Sequence, residues 1–220
     1  MNGRQRGISA ALGSAVFLGL TPIFGKQAIL LGFTPLAVVA VRSGLAVFLL
    51  FFFLVLFKRS YFYIYPLGLA GCILAGFVNG LGSILYYSAL SRLDASVGQL
   101  LYSFYPLFVA IWLFFDRQPV SRITLLRLIL SVPGIFLLIG STHTTVDLAG
   151  AGMMIGAAAL YALHLLINQR VLYEVPSPTV TFYTLFSMAV TVIVAFLLFH
   201  PQIPAAGAIW WPLISLGVIT

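Results

Sequence analysis

Successive apolar runs, each about 20 residues long, fill almost the whole chain and leave no stretch for a soluble domain. A helix needs about 20 apolar residues to cross a hydrocarbon core of roughly 30 Å. Only 7% of the 220 residues are charged and 62% are hydrophobic, which leaves too few polar groups to cover a water-soluble surface. The sequence therefore predicts an all-α membrane protein, a polytopic helical bundle in a lipid bilayer.

Turn residues divide these runs into seven full spanning helices and the start of an eighth. The predicted spans are 9–29, 35–57, 66–90, 95–115, 124–140, 148–168 and 178–199, and the eighth begins near Ala206. Connectors such as "GFTP" and "HPQIPAAG" carry the Gly and Pro residues that end helices. The eighth run reaches Thr220 without a polar flank, so we expect the fold to continue beyond this chain.

The Lys and Arg residues lie in ones and twos between the apolar runs, which indicates membrane topology and argues against a nucleic-acid partner. Cytoplasmic loops keep an excess of basic residues. A cytoplasmic N-terminus leaves Arg92 alone outside and places these inside: Arg4, Arg6, Lys58, Arg59, Arg117, Arg122, Arg127 and Arg170. We expect a multi-pass protein of the cell membrane, in a bacterium the plasma membrane, with its N-terminus in the cytoplasm.

A weak internal repeat divides the chain into two parts. Gly7, Gly13, Ala15, Leu20 and Pro35 recur at one constant offset as Gly150, Gly156, Ala158, Leu163 and Pro178. Five helices separate the two starts, and an odd number of crossings inverts the second copy. The pattern predicts two inverted five-helix repeats, residues 1–145 and an incomplete copy at 146–220. We do not expect these residues alone to transport, because an incomplete second repeat cannot close a cavity.

Two positive charges, Lys26 and Arg42, lie inside the apolar runs on either side of a turn centred at Thr34. In an antiparallel hairpin each lies about 12 Å from the turn, at roughly 1.5 Å rise per residue, and so both share one depth in the outer half of the membrane. One interpretation is that both side chains reach the outer headgroups. The other is that one or both face a cavity and bind a substrate carboxylate or phosphate.

Further polar residues lie at membrane depth, where they need partners. They form hydrogen bonds between helices or line a polar pocket, and the candidates for substrate binding are Asn79, Gln99, Tyr102, Ser103 and His164. Pro22 frees the carbonyl of Leu18 and predicts a break in the first helix. We place Tyr86 and Tyr87, near a helix end, in the aromatic belt at the membrane interface.

Small residues at helical spacing predict close packing of the third and sixth helices. Gly76 and Gly80 lie one turn apart in the third helix, and Gly152 and Gly156 do so in the sixth. The single cysteine, Cys72, falls within an apolar run, and we interpret it as a small buried hydrophobic residue.

The sequence contains no phosphate-binding loop, metal-ligand cluster or nucleophile motif, so we predict no catalytic residues, metal or cofactor. One spacing supports an alternative. His143 and Asp147 form "HTTVD", which has the His-x-x-x-Asp spacing that some acyltransferases use for a general base. The alternative is therefore a membrane-embedded enzyme such as an acyltransferase with His143 as its base.

The stretch from Tyr86 to Gly140 resembles the EamA family of the drug/metabolite transporter superfamily. Tyr87, Ala89 and Leu90 match the aromatic-x-Ala-Leu that ends the family's third helix, and "AS" at 95–96 matches the opening of the fourth. Asp116 stands where the family usually has Glu. The resemblance implies ten helices in two inverted repeats, a central cavity, and export or exchange of small polar metabolites such as amino acids. On this interpretation the protein is a transporter and not an enzyme, and its partners are a small-molecule substrate and the lipid bilayer.

Overall fold

The computed structural model describes residues 3–118, 126, 147–199 and 210–219, and these residues form helices and no strand. The α-helices are α1 (Gly3–Leu30), α2 (Pro35–Phe57), α3 (Pro66–Arg92), α4 (Ala95–Tyr102), α5 (Tyr105–Phe115), α6 (Leu148–Val171), α7 (Ser177–Phe199) and α8 (Trp211–Ile219). A 3-10 helix, Arg59–Phe62, follows α2. Within these ranges six segments are long and apolar enough to cross a membrane: α1, α2, α3, the α4–α5 pair, α6 and α7. The predicted span at 124–140, apart from Leu126, and the predicted helix start at Ala206 lie outside the described residues.

The helices begin where the sequence supplies a cap or a proline. Pro35 opens α2, and the side-chain oxygen of Thr34 accepts a hydrogen bond from the N–H of Ala37 at 3.2 Å. Pro66 opens α3 in the same way, since its missing N–H falls in a turn that has no intrahelical acceptor for it. The carboxylate of Asp147 caps α6 by accepting from the N–H of Ala149 at 2.9 Å. These starts agree with the predicted helix boundaries.

Two prolines inside the predicted spans, Pro22 and Pro106, differ in their effect. The helix α1 continues through Pro22, although we predicted a break there. The predicted fourth span is instead interrupted, because α4 ends at Tyr102 and α5 begins at Tyr105. Pro106 explains this interruption, since it has no N–H to donate to the carbonyl of Tyr102 and its ring crowds that carbonyl. The two pieces still form one span in length and hydropathy.

The central helix α3 packs most extensively against α6 and α7. A Cβ added at Gly76 would lie 2.6 Å from the Cβ of Ser187 and 2.9 Å from the amide nitrogen of Met188, so the α3 and α7 backbones touch there. Gly80 makes a similar approach to Thr191. The predicted close packing of α3 is confirmed, and Cys72 is buried on this helix as expected.

Candidate functional site

A cavity of about 450 Å³ lies in the centre of the bundle and is lined by residues from α1 to α7. Its walls contain polar and aromatic side chains in a protein whose outer surface is largely apolar. The lining residues are Leu18, Thr21, Pro22, Arg42, Asn79, Gly82, Ser83, Tyr86, Tyr87, Gln99, Tyr102, Ser103, Tyr105, Tyr161, His164, Asn168, Thr181, Thr184, Leu185 and Met188. The cavity volume falls in the range of small-molecule binding sites. No aspartate or glutamate is among these described lining residues.

Arg42 enters this cavity from α2 and is only 9% exposed. Its Nη2 lies 3.5 Å from the hydroxyl oxygen of Ser83, and its guanidinium carbon lies 5.1 Å from the centre of the Tyr87 ring. The face of an aromatic ring attracts a cation at this distance. Gly25 allows the arrangement, because a Cβ at that position would lie 2.7 Å from the Tyr87 ring. The fold therefore holds a positive charge in the cavity wall.

Lys26, the second interior cation, does not line the cavity. Its Nζ donates hydrogen bonds to the carbonyl oxygens of Leu90 and Leu93, at 2.8 and 2.7 Å. These carbonyls belong to the C-terminal end of α3, where a helix lacks intrahelical donors and its dipole favours a cation. Lys26 therefore ties α1 to the end of α3, which neither interpretation of the sequence had anticipated.

A group of tyrosines forms one wall of the cavity. The hydroxyl of Tyr86 donates to the side-chain oxygen of Gln99 at 3.2 Å, and the Tyr86 and Tyr102 rings meet edge to face at 5.0 Å. Tyr161 on α6 continues the group, with its ring 5.4 Å from those of Tyr102 and Tyr105. Aromatic pairs at these distances pack favourably. The helices α3, α4, α5 and α6 thus meet through aromatic rings at the cavity.

The placement of Tyr86 and Tyr87 in an interfacial belt was wrong. They are 8% and 1% exposed and lie inside the bundle. The sequence assigned them to the interface because they lie near the end of an apolar run. However, α3 is the central helix and is covered by neighbours near this end as well.

His164 on α6 lies in the cavity wall and takes part in a chain of hydrogen bonds across three helices. Its Nδ1 is 3.0 Å from the carbonyl oxygen of Ala75 on α3, and its Nε2 is 3.3 Å from the side-chain nitrogen of Asn168. The side-chain oxygen of Asn168 accepts from the hydroxyl of Thr184 on α7 at 3.2 Å. This chain links α3, α6 and α7 beside the cavity.

The remaining predicted residues also line the cavity. The side-chain nitrogen of Asn79 lies 3.3 Å from the sulfur of Met188, and the Ser103 hydroxyl donates to the backbone of its own helix at Leu100, at 2.6 Å. The structure thus gathers Arg42, Asn79, Gln99, Tyr102, Ser103 and His164 around one cavity and leaves Lys26 outside it.

Sequence reasoning missed several lining residues, but the internal repeat carried a signal for them. At the constant offset of the repeat, Leu18 corresponds to Tyr161 and Thr21 corresponds to His164, and all four line the cavity. At the same offset, Arg42 corresponds to Leu185, which also lines it. The corresponding positions therefore face one space from opposite parts of the chain.

Ion pairs hold both ends of α6. Arg92 at the end of α3 pairs with Asp147 at 3.2 Å, and Arg170 pairs with Asp116 at the end of α5. The hydrogen bond from the backbone N–H of Ala149 and the contact with Arg92 hold the pKa of Asp147 below its usual value. The acyltransferase alternative paired Asp147 with His143, which lies outside the described residues. Within the described ranges, no group of three or more His, Cys, Asp or Glu residues could hold a metal ion.

Comparison with known proteins agrees with this architecture. The threonine/homoserine exporter RhtA of Salmonella typhimurium, in strains SL1344 and LT2, is 32% identical to this chain over 139 residues. The aligned part is 61% of this chain and 43% of the exporter, so the chain matches less than half the length of these relatives. One protein of known crystal structure shares the fold, with a TM-score of 0.61 and 15% identity over 93% of this chain and 74% of that one. Residues 5–140, more than half of the chain, match the EamA-like transporter family, and the chain therefore belongs to that family.

Proposed function

We propose that this chain forms the substrate pathway of a secondary transporter that exports or exchanges small polar metabolites such as amino acids. The transporter works by alternating access, with two inverted repeats at residues 1–145 and 146–220 around the central cavity. It lies in the plasma membrane of a bacterium with its N-terminus in the cytoplasm. The family and the name of its threonine/homoserine-exporting relative support an amino-acid substrate.

The buried Arg42 is the observation that carries this proposal. A charge at membrane depth is costly, and such residues mark substrate paths more often than structural positions. Ser83 and Tyr87 lie against Arg42, and the described lining residues include no carboxylate. A substrate carboxylate that enters the cavity can accept two parallel N–H bonds from the guanidinium.

The polar side chains around Arg42 suit the rest of an amino acid. Asn79, Gln99 and Ser103 offer amide and hydroxyl groups, and the tyrosine wall offers ring faces that attract an ammonium group. The cavity positions related by the repeat offset support alternating access, because each repeat contributes helices to the same space.

Binding and flux together test the proposal. L-Threonine binding is measured by calorimetry on the protein in lipid nanodiscs, and exchange flux is measured in liposomes with a chain long enough to transport. We expect saturable binding that Arg42→Gln weakens strongly, and flux that follows the same order. Equal binding of L-threonine and of its amide, in which a neutral amide replaces the carboxylate, by the unaltered protein would contradict carboxylate recognition.

The proposed orientation has a separate test. Ser60 and Ser91 are exposed at opposite ends of the spans. A membrane-impermeant thiol reagent should label a cysteine at Ser91 in intact cells and one at Ser60 only after permeabilisation. The reverse pattern would invert the topology.

A further inference from the structure

The hydrogen bonds around His164 define which ring nitrogen carries a proton. The carbonyl oxygen of Ala75 can only accept, so Nδ1 carries the hydrogen that points to it. Nε2 then accepts from the side-chain N–H of Asn168, and the Asn168 oxygen accepts from Thr184. The chain is complete with His164 neutral, and the ring is only 7% exposed.

We propose that His164 is the proton-coupling residue of this transporter, and that its Nε2 takes up a proton when a substrate carboxylate enters the cavity. This inference rests on the proposed transport function. The proton comes from water on the side to which the cavity is open, and Nε2 returns it to water on the other side when the substrate leaves. Proton and substrate are therefore carried in the same direction, so net export is driven by the outward gradient of the substrate itself.

His164, Asn168 and Thr184 keep both hydrogen bonds between them when the His164 ring is protonated. If the Asn168 amide rotates by half a turn, its oxygen accepts from the new Nε2–H and its nitrogen donates to the Thr184 oxygen. A hydroxyl accepts as readily as it donates, so Thr184 serves in both states. The bond from Nδ1 to Ala75 is unchanged. If the partner of Nε2 could only donate or only accept, that hydrogen bond would be lost in one of the two protonation states.

The charges around the cavity make the proton and the carboxylate favour each other. Among the described residues, the ionisable side chains that share this space or contact the hydrogen-bond chain are Arg42 on α2, Cys72, Tyr86 and Tyr87 on α3, Tyr102 on α4, Tyr105 on α5 and Tyr161 on α6. Arg42 is the positively charged member of this set, and the described lining has no acid. A second positive charge on His164 is therefore unfavourable in the empty cavity and becomes favourable beside a bound carboxylate.

At this position of the repeat, the second copy carries a titratable side chain, His164, and the first copy does not. Thr21 occupies the position in α1 that corresponds to His164, and its hydroxyl lies 3.4 Å from the carbonyl oxygen of Phe17 in its own helix. Thr21 cannot bind a proton in the physiological range. One proton per substrate is therefore the expected ratio.

Calorimetry of L-threonine binding in nanodiscs, from pH 8.5 to pH 5.5, tests the inference. The unaltered protein should bind about tenfold more tightly at the acidic end, the change that one pKa unit of coupling produces. Titrations in two buffers with different ionisation enthalpies should show proton uptake on binding. In His164→Gln, the side-chain nitrogen can donate to Ala75 and the oxygen can accept from Asn168, so the affinity should no longer change with pH and binding should take up no proton.

Two threonines on α7 provide a second, matched pair of variants. Thr184→Val removes the hydroxyl that receives the rotated amide and should reduce the pH dependence. Thr191→Val is the control, because Thr191 does not line the cavity and donates to Ser187 in its own helix. Tight binding that is independent of pH, or proton uptake that survives in His164→Gln, would overturn the coupling role and leave the transport proposal intact. Absence of carboxylate binding at every pH in the unaltered protein would refute both.

Discussion

Lys26 and Arg42 are two cations at similar depth in neighbouring helices, and the protein uses them differently. Lys26 donates to two backbone carbonyls at the end of α3, so its charge is absorbed by the fold. Arg42 lies against a tyrosine ring and a serine hydroxyl and lines the cavity, so its charge faces a space that a ligand can enter. A charge inside a membrane span therefore indicates function only after its neighbours are known.

The largest effect should come from removing the cavity charge. Arg42→Gln should weaken L-threonine binding by about ten- to hundredfold, because a hydrogen bond to a charged group contributes about 1.5–3 kcal/mol. Calorimetry on nanodisc samples measures the loss. Arg42→Lys should recover only part of the affinity, since an ammonium cannot form two parallel bonds to a carboxylate.

The stability of the Arg42→Gln variant shows whether Arg42 serves ligand binding or the fold. The free energy of unfolding of Arg42→Gln should equal or exceed that of the unaltered protein, since a buried cation is removed. If Arg42→Gln bound L-threonine normally, Arg42 would be a structural residue like Lys26.

The next largest effect should be on stability, at Lys26. Lys26→Met keeps the length of the side chain but leaves the carbonyls of Leu90 and Leu93 without this donor. We expect the free energy of unfolding to fall by about 2 kcal/mol, with binding by the folded protein unchanged. Unfolding in mixed detergent micelles measures this, and Lys58→Met, at an exposed position, is the control. Weaker binding with unchanged stability would move Lys26 to the cavity.

A smaller effect on binding should arise at Gly25, which lies between the Lys26 and Arg42 sites. Gly25 precedes Lys26 in the chain and contacts the Tyr87 ring that lies beneath Arg42. Gly25→Ala must displace this ring, and loss of a cation–π contact of about 1 kcal/mol should weaken binding about fivefold. Gly19→Ala is the matched control, since a Cβ there meets nothing within 4 Å. Equal affinities in the two variants would show that Tyr87 does not hold Arg42 in place.

The smallest effect should be on stability in acid, at Asp147. This residue pairs with Arg92 at the end of α3 to which Lys26 also donates. The pKa of Asp147 is lowered in the folded protein, so its contribution is present above the ordinary pKa of about 3.9 and is lost as pH falls through the folded value. Asp147→Asn should therefore be less stable at pH 6, with a difference that narrows below about pH 4. Asp94→Asn is the control, because that side chain makes no capping hydrogen bond to α4. A difference independent of pH would assign the effect to shape and not to charge.

Local chemistry in the sequence predicted much of the fold. The starts of α2, α3 and α6 follow from Pro35, Pro66 and Asp147, whose effects act within a single turn. The membrane class follows from the length of the apolar runs. Such features depend on residues a few positions apart, which is why sequence reasoning reached them.

Long-range contacts explain what the sequence could not predict. Lys26 is held by carbonyls of Leu90 and Leu93, and no side-chain pattern shows where a distant helix will end. Tyr87 points into the bundle because α3 is covered on several sides, and an apolar run has no preferred face from which to read this. The hydrogen-bond chain that contains His164 likewise joins three helices, through Ala75 on α3 and, by way of Asn168, Thr184 on α7.

The glycine contacts between α3 and α7 also have a mechanical meaning. At Gly76 and Gly80 the backbone of α3 lies against the backbone and the short Ser187 and Thr191 side chains of α7, so neither helix can slide along the other without collision. In the proposed arrangement α3 belongs to the first repeat and α7 to the second. A rocking motion that swung one whole repeat against the other would have to pull this seam apart. In a transport cycle α3 and α7 would therefore move together as one rigid unit. That unit combines helices from both repeats.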